Sequence, residues 1–446
     1  MNAGAHAGGS ERSAAYRWFI LVLLLVTNAL AYADRHVFSI LIPAIKAEFK
    51  MSDSVLGLIG GPVFVISFVL FSMPLARLAD TWSARGVLAL CVAFWSAATA
   101  GCGAALNVVQ LGIARALVGV GEAGGLPPSQ SMLSGIFPDE SRARAMGIFS
   151  SATHFGIMLG LVGGALIAAN FGWRAAFFTL AAAGIPLALL IWVVAPRQQA
   201  AVADVAAAPA GSLFQAAAKC WAIPSYRLLI LGVAIFNIFG FGSATWLPTY
   251  YIRSHGMSLV EAGAWMGLGG AVGGVVGSFA SGFIVDALRP RDLRWQLRLP
   301  ALGYVICFPI LVLQFLIPGG LKLEVGSVSV PAVALVGLAA GFLTAFWAFD
   351  AIARLMPPDL RAQAMALLVI VISVIGSGLG PVVAGIVSDI LSATHQAESI
   401  RYSLLSLSVL ALVAGVLIWW GSEHFPKDVA RRQAAEAGAI QTGSTS

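Results

Sequence analysis

NALAYADRHVF, residues 28–38, decides how this chain is read. It follows the apolar run FILVLLLV, and its small residues at Ala31 and Ala33 fit the end of a cleaved secretory signal. Read as the continuation of a membrane helix, the same letters set Asp34, Arg35 and His36 inside a bilayer. Beyond His36 the chain stays almost wholly apolar through Ile45. Cleavage after Ala33 would remove the first helix and strand the ionisable residues of a later span. The expectation is an uncleaved first span carrying buried charge.

Composition supports the membrane reading. The 446 residues are 59% hydrophobic and 10% charged, against about 25% charged in soluble domains. So few charges cannot cover a water-facing surface, and the 49 glycines suit close helix packing in lipid. A span needs roughly 20 apolar residues. Twelve such runs are expected, at 17–45, 54–76, 85–105, 108–136, 143–169, 173–195, 226–252, 261–287, 299–318, 331–354, 361–391 and 399–420. They are continuous rather than alternating, which excludes a barrel and leaves helices.

Twelve spans put both termini on one side. With the termini in the cytoplasm, that side collects eighteen of the 26 basic residues. Six fall opposite (Lys46, Lys50, Arg174, Arg253, Lys322, Arg401), and Arg35 and Arg115 lie within spans. This asymmetry orients the chain in an inner (plasma) membrane with cytoplasmic termini. The net charge of +6 thus follows topology, not nucleic-acid binding. Cys91, Cys102, Cys220 and Cys307 show no metal or redox spacing and read as packing residues.

The weakly apolar stretch between spans six and seven halves the chain. RARAMGIFSSATHFGIMLGLVGGALI (142–167) aligns without gaps to RAQAMALLVIVISVIGSGLGPVVAGI (361–386), and ARLADTWSAR (76–85) echoes SGFIVDALRPR (281–291). The expected fold is all-α and integral to the membrane: twelve transmembrane helices as two pseudo-repeated six-helix bundles. The organisation is a cytoplasmic tail at 1–16, a bundle at 17–195, a cytoplasmic linker at 196–225, a second bundle at 226–420 and a cytoplasmic tail at 421–446. A parallel repeat of this kind suits halves that rock around a central site.

A charge at mid-membrane costs ~2.5–3.5 kcal/mol on insertion scales, so each needs a reason. Arg115 and Glu122 are seven residues apart and share one helix face, about 10.5 Å apart along the axis. They can sandwich Asp34 and Arg35 of the first span, Arg115 meeting Asp34 and Glu122 meeting Arg35. Two readings stay open: ion pairs that only lock helices together, or a carboxylate that exchanges a proton and its partner during transport. In the second, Asp34 is the proton carrier and Glu122 its partner, while Arg35 and Arg115 handle an anionic substrate. His36 and His154 are candidates for a relay or for plain interhelical hydrogen bonds. Asp350 and Arg354 are spaced to satisfy each other.

In the second half, Asn237, Trp246 and Trp347 are candidate cavity residues, beside the aromatics of spans seven and ten. At the cytoplasmic ends, Asp80 and Arg85 with Arg142, and Asp286 with Arg361, form candidate clasps or merely orienting loop charges. There is no GxxxxGK[ST] loop and no His/Cys metal cluster, so no enzyme, cofactor or metal site is expected.

The twelve spans, the repeat, and Asp80 with Arg85 in the second-to-third loop resemble the major facilitator superfamily. Ala76, Thr81 and Ser83 depart from its loop signature. Within it the chain is similar to Spinster-type transporters and their bacterial relatives through ADRHVFSILIPAIKAEF, ARALVGVGEAGGLPPSQSMLSGIFP, FGWRAAF and GSGLGPVVAGIVSD. The resemblance implies a secondary transporter coupled to protons, moving a lysolipid- or sphingoid-phosphate-like amphiphile or an organic anion; one chain holds a complete pathway, so a monomer is expected. It also implies that Asp34, Arg35, Arg115 and Glu122 handle protons and substrate, and that the clasps close the cytoplasmic side. An aromatic acid or drug carrier of the same superfamily is the alternative, and a sensor or channel on the same scaffold is the alternative of another class.

Overall fold

The computed structural model describes residues 13–196, 210–325, 328–346 and 349–443. Its helices begin where short polar side chains can take up free backbone amides. Ser13 Oγ accepts from Tyr16 N, Ser52 Oγ from Val55 N, Ser83 Oγ from Gly86 N and Asn107 Oδ1 from Gln110 N. Ser258 and Glu261 form a reciprocal capping box at the eighth span, Leu259–Leu288. The first span, Ala14–Phe49, is one unbroken helix through the opening motif and ends at Lys50 in the left-handed conformation.

Nine stretches among the described residues are long and apolar enough to cross a membrane. The last, Leu360–Ala435, folds back at the 3-10 turn Gln396–Glu398, where Ser403 Oγ donates to Ala384 O, and so contains two expected spans. The fourth expected span is broken into Val108–Glu122 and Leu126–Ile136. Gly124 and Gly125, then Pro127 and Pro128, explain the break, because they weaken or remove helix hydrogen bonds. The tenth is likewise split, into Ala332–Thr344 and Phe349–Leu355. Three spans carry wide π turns, at Ile59–Val63, Leu159–Gly163 and Ile372–Leu379. Leucines and phenylalanines such as Leu70, Phe279 and Phe283 point outward, as a lipid-facing surface requires.

Two features depart from expectation. A hairpin, Lys322–Val325 with Val328–Pro331, joins spans nine and ten. The expected tail from 421 is instead a continuation of the last helix, Val409–Gly443. That extension is docked: Glu423 lies 2.6 Å from Arg294 and 2.7 Å from Arg298, and buried Asp428 accepts from Ser225 N and Oγ.

The described hydrogen bonds and ion pairs that join the two bundles all converge on one cluster, on the side away from the termini. Asp53 takes a bidentate Arg253 at 3.1 and 3.2 Å, Ser388 Oγ at 2.8 Å and Lys46 at 2.5 Å. Asp389 accepts the backbone amides of Asp53 and Ser54 at 3.0 and 2.7 Å. Beside it, Gly57 meets the backbone of Pro381 and Val382 so closely that a Cβ at 57 would fall 2.8 Å from Val382 Cα. On the termini side no hydrogen bond or ion pair joins the bundles among the described residues. The structure is therefore closed on the far side.

Candidate functional site

The four ionisable residues of the first and fourth spans come together. Arg115 Nη1 lies 2.8 Å from Asp34 Oδ1, and Arg35 Nε lies 2.6 Å from Glu122 Oε2. Both spans are helical here, so the seven-residue spacing of Arg115 and Glu122 brackets the adjacent Asp34 and Arg35. Three of the four side chains are sealed: Glu122 is 0% exposed, Arg115 2% and Asp34 3%, against 32% for Arg35.

Aromatic faces complete the box. Phe64 lies 5.0 Å from the Arg35 guanidinium carbon and 5.1 Å from that of Arg115. Phe68 and Tyr32 cover Arg35, and Phe38 covers Arg115. Cation–π contact of this kind holds a guanidinium without neutralising it. One member was not read from the sequence. Thr99, on Ala84–Ala104, donates its hydroxyl to Asp34 Oδ2; a lone threonine in an apolar run gives no signal.

A cavity of about 650 Å³ opens beside the cluster and runs between the bundles. Arg35 and Arg115 line it, whereas Asp34 and Glu122 are not among its walls. The two arginines therefore border the cavity, Arg35 partly open to it and Arg115 nearly sealed, and the carboxylates stand behind them. His36 and His154 also line it. From the second bundle come Phe236, Phe239, Phe241 and Trp265, with Asn237 as an amide among them. The volume fits a small organic ligand.

Trp246 does not join this wall in the structure. It is wholly buried, lies off the cavity, and its indole N–H donates to Pro381 O at 2.8 Å, binding span seven to span eleven. Trp347 lies outside the described residues.

The expected clasps are not made in this state. Asp80 is exposed and has no ion-pair partner among the described residues, while Arg142 pairs with Asp139 at 2.7 Å. Arg85 donates to Ala195 O and lies 5.8 Å from the Trp192 ring. Asp286 pairs with Arg289 at 3.3 Å, and Arg361 donates to Met356 O. With no hydrogen bond or ion pair joining the bundles on the termini side among the described residues, Arg85, Arg142, Asp286 and Arg361 take local partners instead. Asp350 and Arg354 do pair, at 2.9 Å. All four cysteines are free and buried, and no group of His, Cys, Asp or Glu among the described residues is placed to hold a metal.

The sequence profile of the Major Facilitator Superfamily matches residues 24–378. Over 418 residues the chain is 30% identical to an MFS-type efflux pump of Mycolicibacterium smegmatis, covering 92% of this chain and 94% of the pump. It is 27% identical over 317 residues to a probable galactarate/D-glucarate transporter of Bacillus subtilis, covering 64% of this chain and 69% of that protein. Its fold matches the crystal structure of a bacterial homolog to the human lysosomal transporter Spinster, in an inward-facing and unoccupied conformation. The TM-score is 0.79 at 26% identity, over 94% of this chain and 99% of that one.

Proposed function

The chain belongs to the Major Facilitator Superfamily, and on that premise we propose that it is a proton-coupled secondary transporter carrying an amphiphilic or organic anion by alternating access. The observation that carries this reading is the layered cluster: two arginines border the cavity, each paired with a carboxylate behind it. An anion entering the cavity competes with Asp34 and Glu122 for Arg115 and Arg35. A carboxylate deprived of its cation in apolar surroundings is too costly to keep charged, and takes a proton. Substrate and proton thereby share one pair of guanidiniums, which couples their movements.

Asp34 is assigned as the proton carrier, Glu122 as its partner, and Arg35 and Arg115 as the anion clamp. Asn237 contributes a polar contact from the second bundle. In the opposite state, Asp80, Arg85, Arg142, Asp286 and Arg361 close the termini side while the Asp53 cluster opens. With cytoplasmic termini in an inner membrane, the present state faces inward. One chain holds the whole pathway, so a monomer suffices.

The substrate class follows from the walls: an acidic head at the arginines and an apolar or aromatic body against Phe236, Phe239 and Phe241. The dicarboxylate transporter among the relatives supports the acidic head. The efflux-pump relative favours a second reading, export of an aromatic drug held by the same wall. A thermal-shift screen of the purified protein against lysophospholipids, sphingoid phosphates, aromatic acids, hexarates and cationic drugs separates them. Stabilisation by acids that is lost in Arg115→Gln supports the anion reading, and stabilisation by cations alone ends it. Counterflow of the best ligand in proteoliposomes then distinguishes a carrier from a channel or sensor. If Asp34→Asn concentrates substrate as the parent does, with the same pH dependence, the coupling role is lost.

A further inference from the structure

Span seven, Pro224–His255, ends in adjacent tyrosines with opposite fates. Tyr250 is saturated: its hydroxyl donates to Gln314 O at 2.7 Å and sits 2.8 Å from His255 Nε2. Tyr251, equally buried, reaches only Val333 O at 3.5 Å and Gln314 Nε2 at 3.4 Å. Contacts that long are at the weak limit of hydrogen bonding. Gln314 is buried too, and its side chain has no shorter partner among the described residues.

Both residues line the cavity, and so does Gly337 on the tenth span. A Cβ at 337 would lie 2.8 Å from the Tyr251 hydroxyl and 3.1 Å from Gln314 Nε2. Gly337 therefore packs directly against these two polar tips, and any side chain at 337 would push them out of place. Along the same wall, Ser243 Oγ is buried without a partner, and the Asn237 amide spends its N–H on Val233 O at 2.7 Å, leaving its oxygen free among the described residues. Buried polar groups are ordinarily bonded, so a row of under-bonded ones facing a cavity marks where a ligand completes the set. No Asp, Glu, Lys or Arg of the second bundle lines this cavity among the described residues. The complementary ligand group is accordingly uncharged.

We propose that Tyr251 and Gln314, packed against Gly337 on the cavity wall, form a neutral hydrogen-bonding subsite that holds a hydroxyl or carboxamide at the end of the substrate opposite its acidic head. The inference rests on the anion reading of Arg35 and Arg115 for the head, and it narrows the substrate from any acidic amphiphile to one polar at both ends. Tyr251 and Gln314 are then specificity residues. They do not draw the anion in; they choose which anions stay.

The test uses the full-length protein in nanodiscs and a ladder of ω-hydroxy carboxylic acids from capric to stearic, each paired with its methyl-terminated counterpart. At the length that spans the cavity, the hydroxy acid should bind roughly tenfold tighter, the worth of about one good hydrogen bond. Tyr251→Phe and Gly337→Ala should each bring the ratio to about one without weakening the methyl-terminated acid, since neither adds nor removes charge. Equal binding within every pair, or a preference that survives both variants, overturns the subsite and leaves the anion reading standing. Matched alkanols and alkane diols supply the reverse case. If no acid binds yet diols outbind alkanols and Tyr251→Phe abolishes the difference, the subsite stands and the anion reading falls. If none of these probes binds, both fall.

Discussion

Among the described residues Glu122 holds Arg35 through one oxygen only: Oε2 lies 2.6 Å from Nε, while buried Oε1 has no hydrogen-bond partner. Asp34 engages both of its oxygens, one with Arg115 and the other with Thr99. The neighbouring ion pairs are thus unequal. Arg35 is one-third exposed and can turn toward the cavity, whereas Arg115 is sealed with Asp34.

That inequality predicts unequal costs. Asp34→Asn leaves a buried guanidinium without its counter-charge, a change that costs about 3–5 kcal/mol when nothing compensates. Glu122→Gln leaves Arg35 access to water and the faces of Tyr32, Phe64 and Phe68, and should cost far less. Thermal unfolding followed by tryptophan fluorescence should show a much larger drop for Asp34→Asn. Equal drops would mean that the two pairs are energetically alike.

Arg253 is the cation from the second bundle in the far-side cluster, and its fork grips both oxygens of Asp53. Arg253→Ala leaves Lys46, on the same bundle as Asp53, to neutralise the carboxylate, so the protein should fold while the closure weakens. A loss of about 1.4 kcal/mol would raise the far-side-open population tenfold. Spin labels on the far-side ends of spans one and seven should report a longer distance population than in the parent. An unchanged distribution would show that closure rests on helix packing alone.

What could be read from the letters was charge in the wrong solvent. Asp34, Arg35, Arg115 and Glu122 stand out because lipid makes every charge conspicuous, and a helical repeat converts their spacing into a face. The seam position of Trp246 is not legible because span seven is apolar on all sides, so residue type cannot tell a cavity wall from a helix seam. The clasps around Asp80 and Asp286 belong to a state in which the bundles meet on the termini side, and residue spacing does not say which state is populated. The docked final helix escaped notice because Glu423 and Asp428 find partners more than a hundred residues away.

Gly57 sits where spans two and eleven touch through backbone, and the neighbours of a new Cβ there are Pro381 carbonyl atoms and Val382 Cα, none of which can rotate away. Gly57→Ala should force the far side apart and lower the melting temperature. Gly147, inside the helix Asp139–Ser150, has nothing within 4 Å. Gly147→Ala should be neutral or stabilising by up to about 1 kcal/mol, from helix propensity alone. Parallel melting curves of the two variants check this. A shared direction would show that propensity, not close approach, governs both sites.

Trp246 supplies the last prediction, because removing its N–H separates architecture from binding. Trp246→Phe keeps most of the ring volume and deletes the hydrogen bond to Pro381 O. Pro381 belongs to the same contact that presses span eleven against Gly57, so the change should loosen the junction by about 1 kcal/mol, the usual net worth of one such bond. The indole does not line the cavity, so ligand affinity measured in the present state, closed on the far side, should match the parent. The transport rate should change, since the far side now opens more readily. A variant with normal stability and weakened ligand binding would instead place the tryptophan in contact with substrate, in a state that differs from this one at span seven.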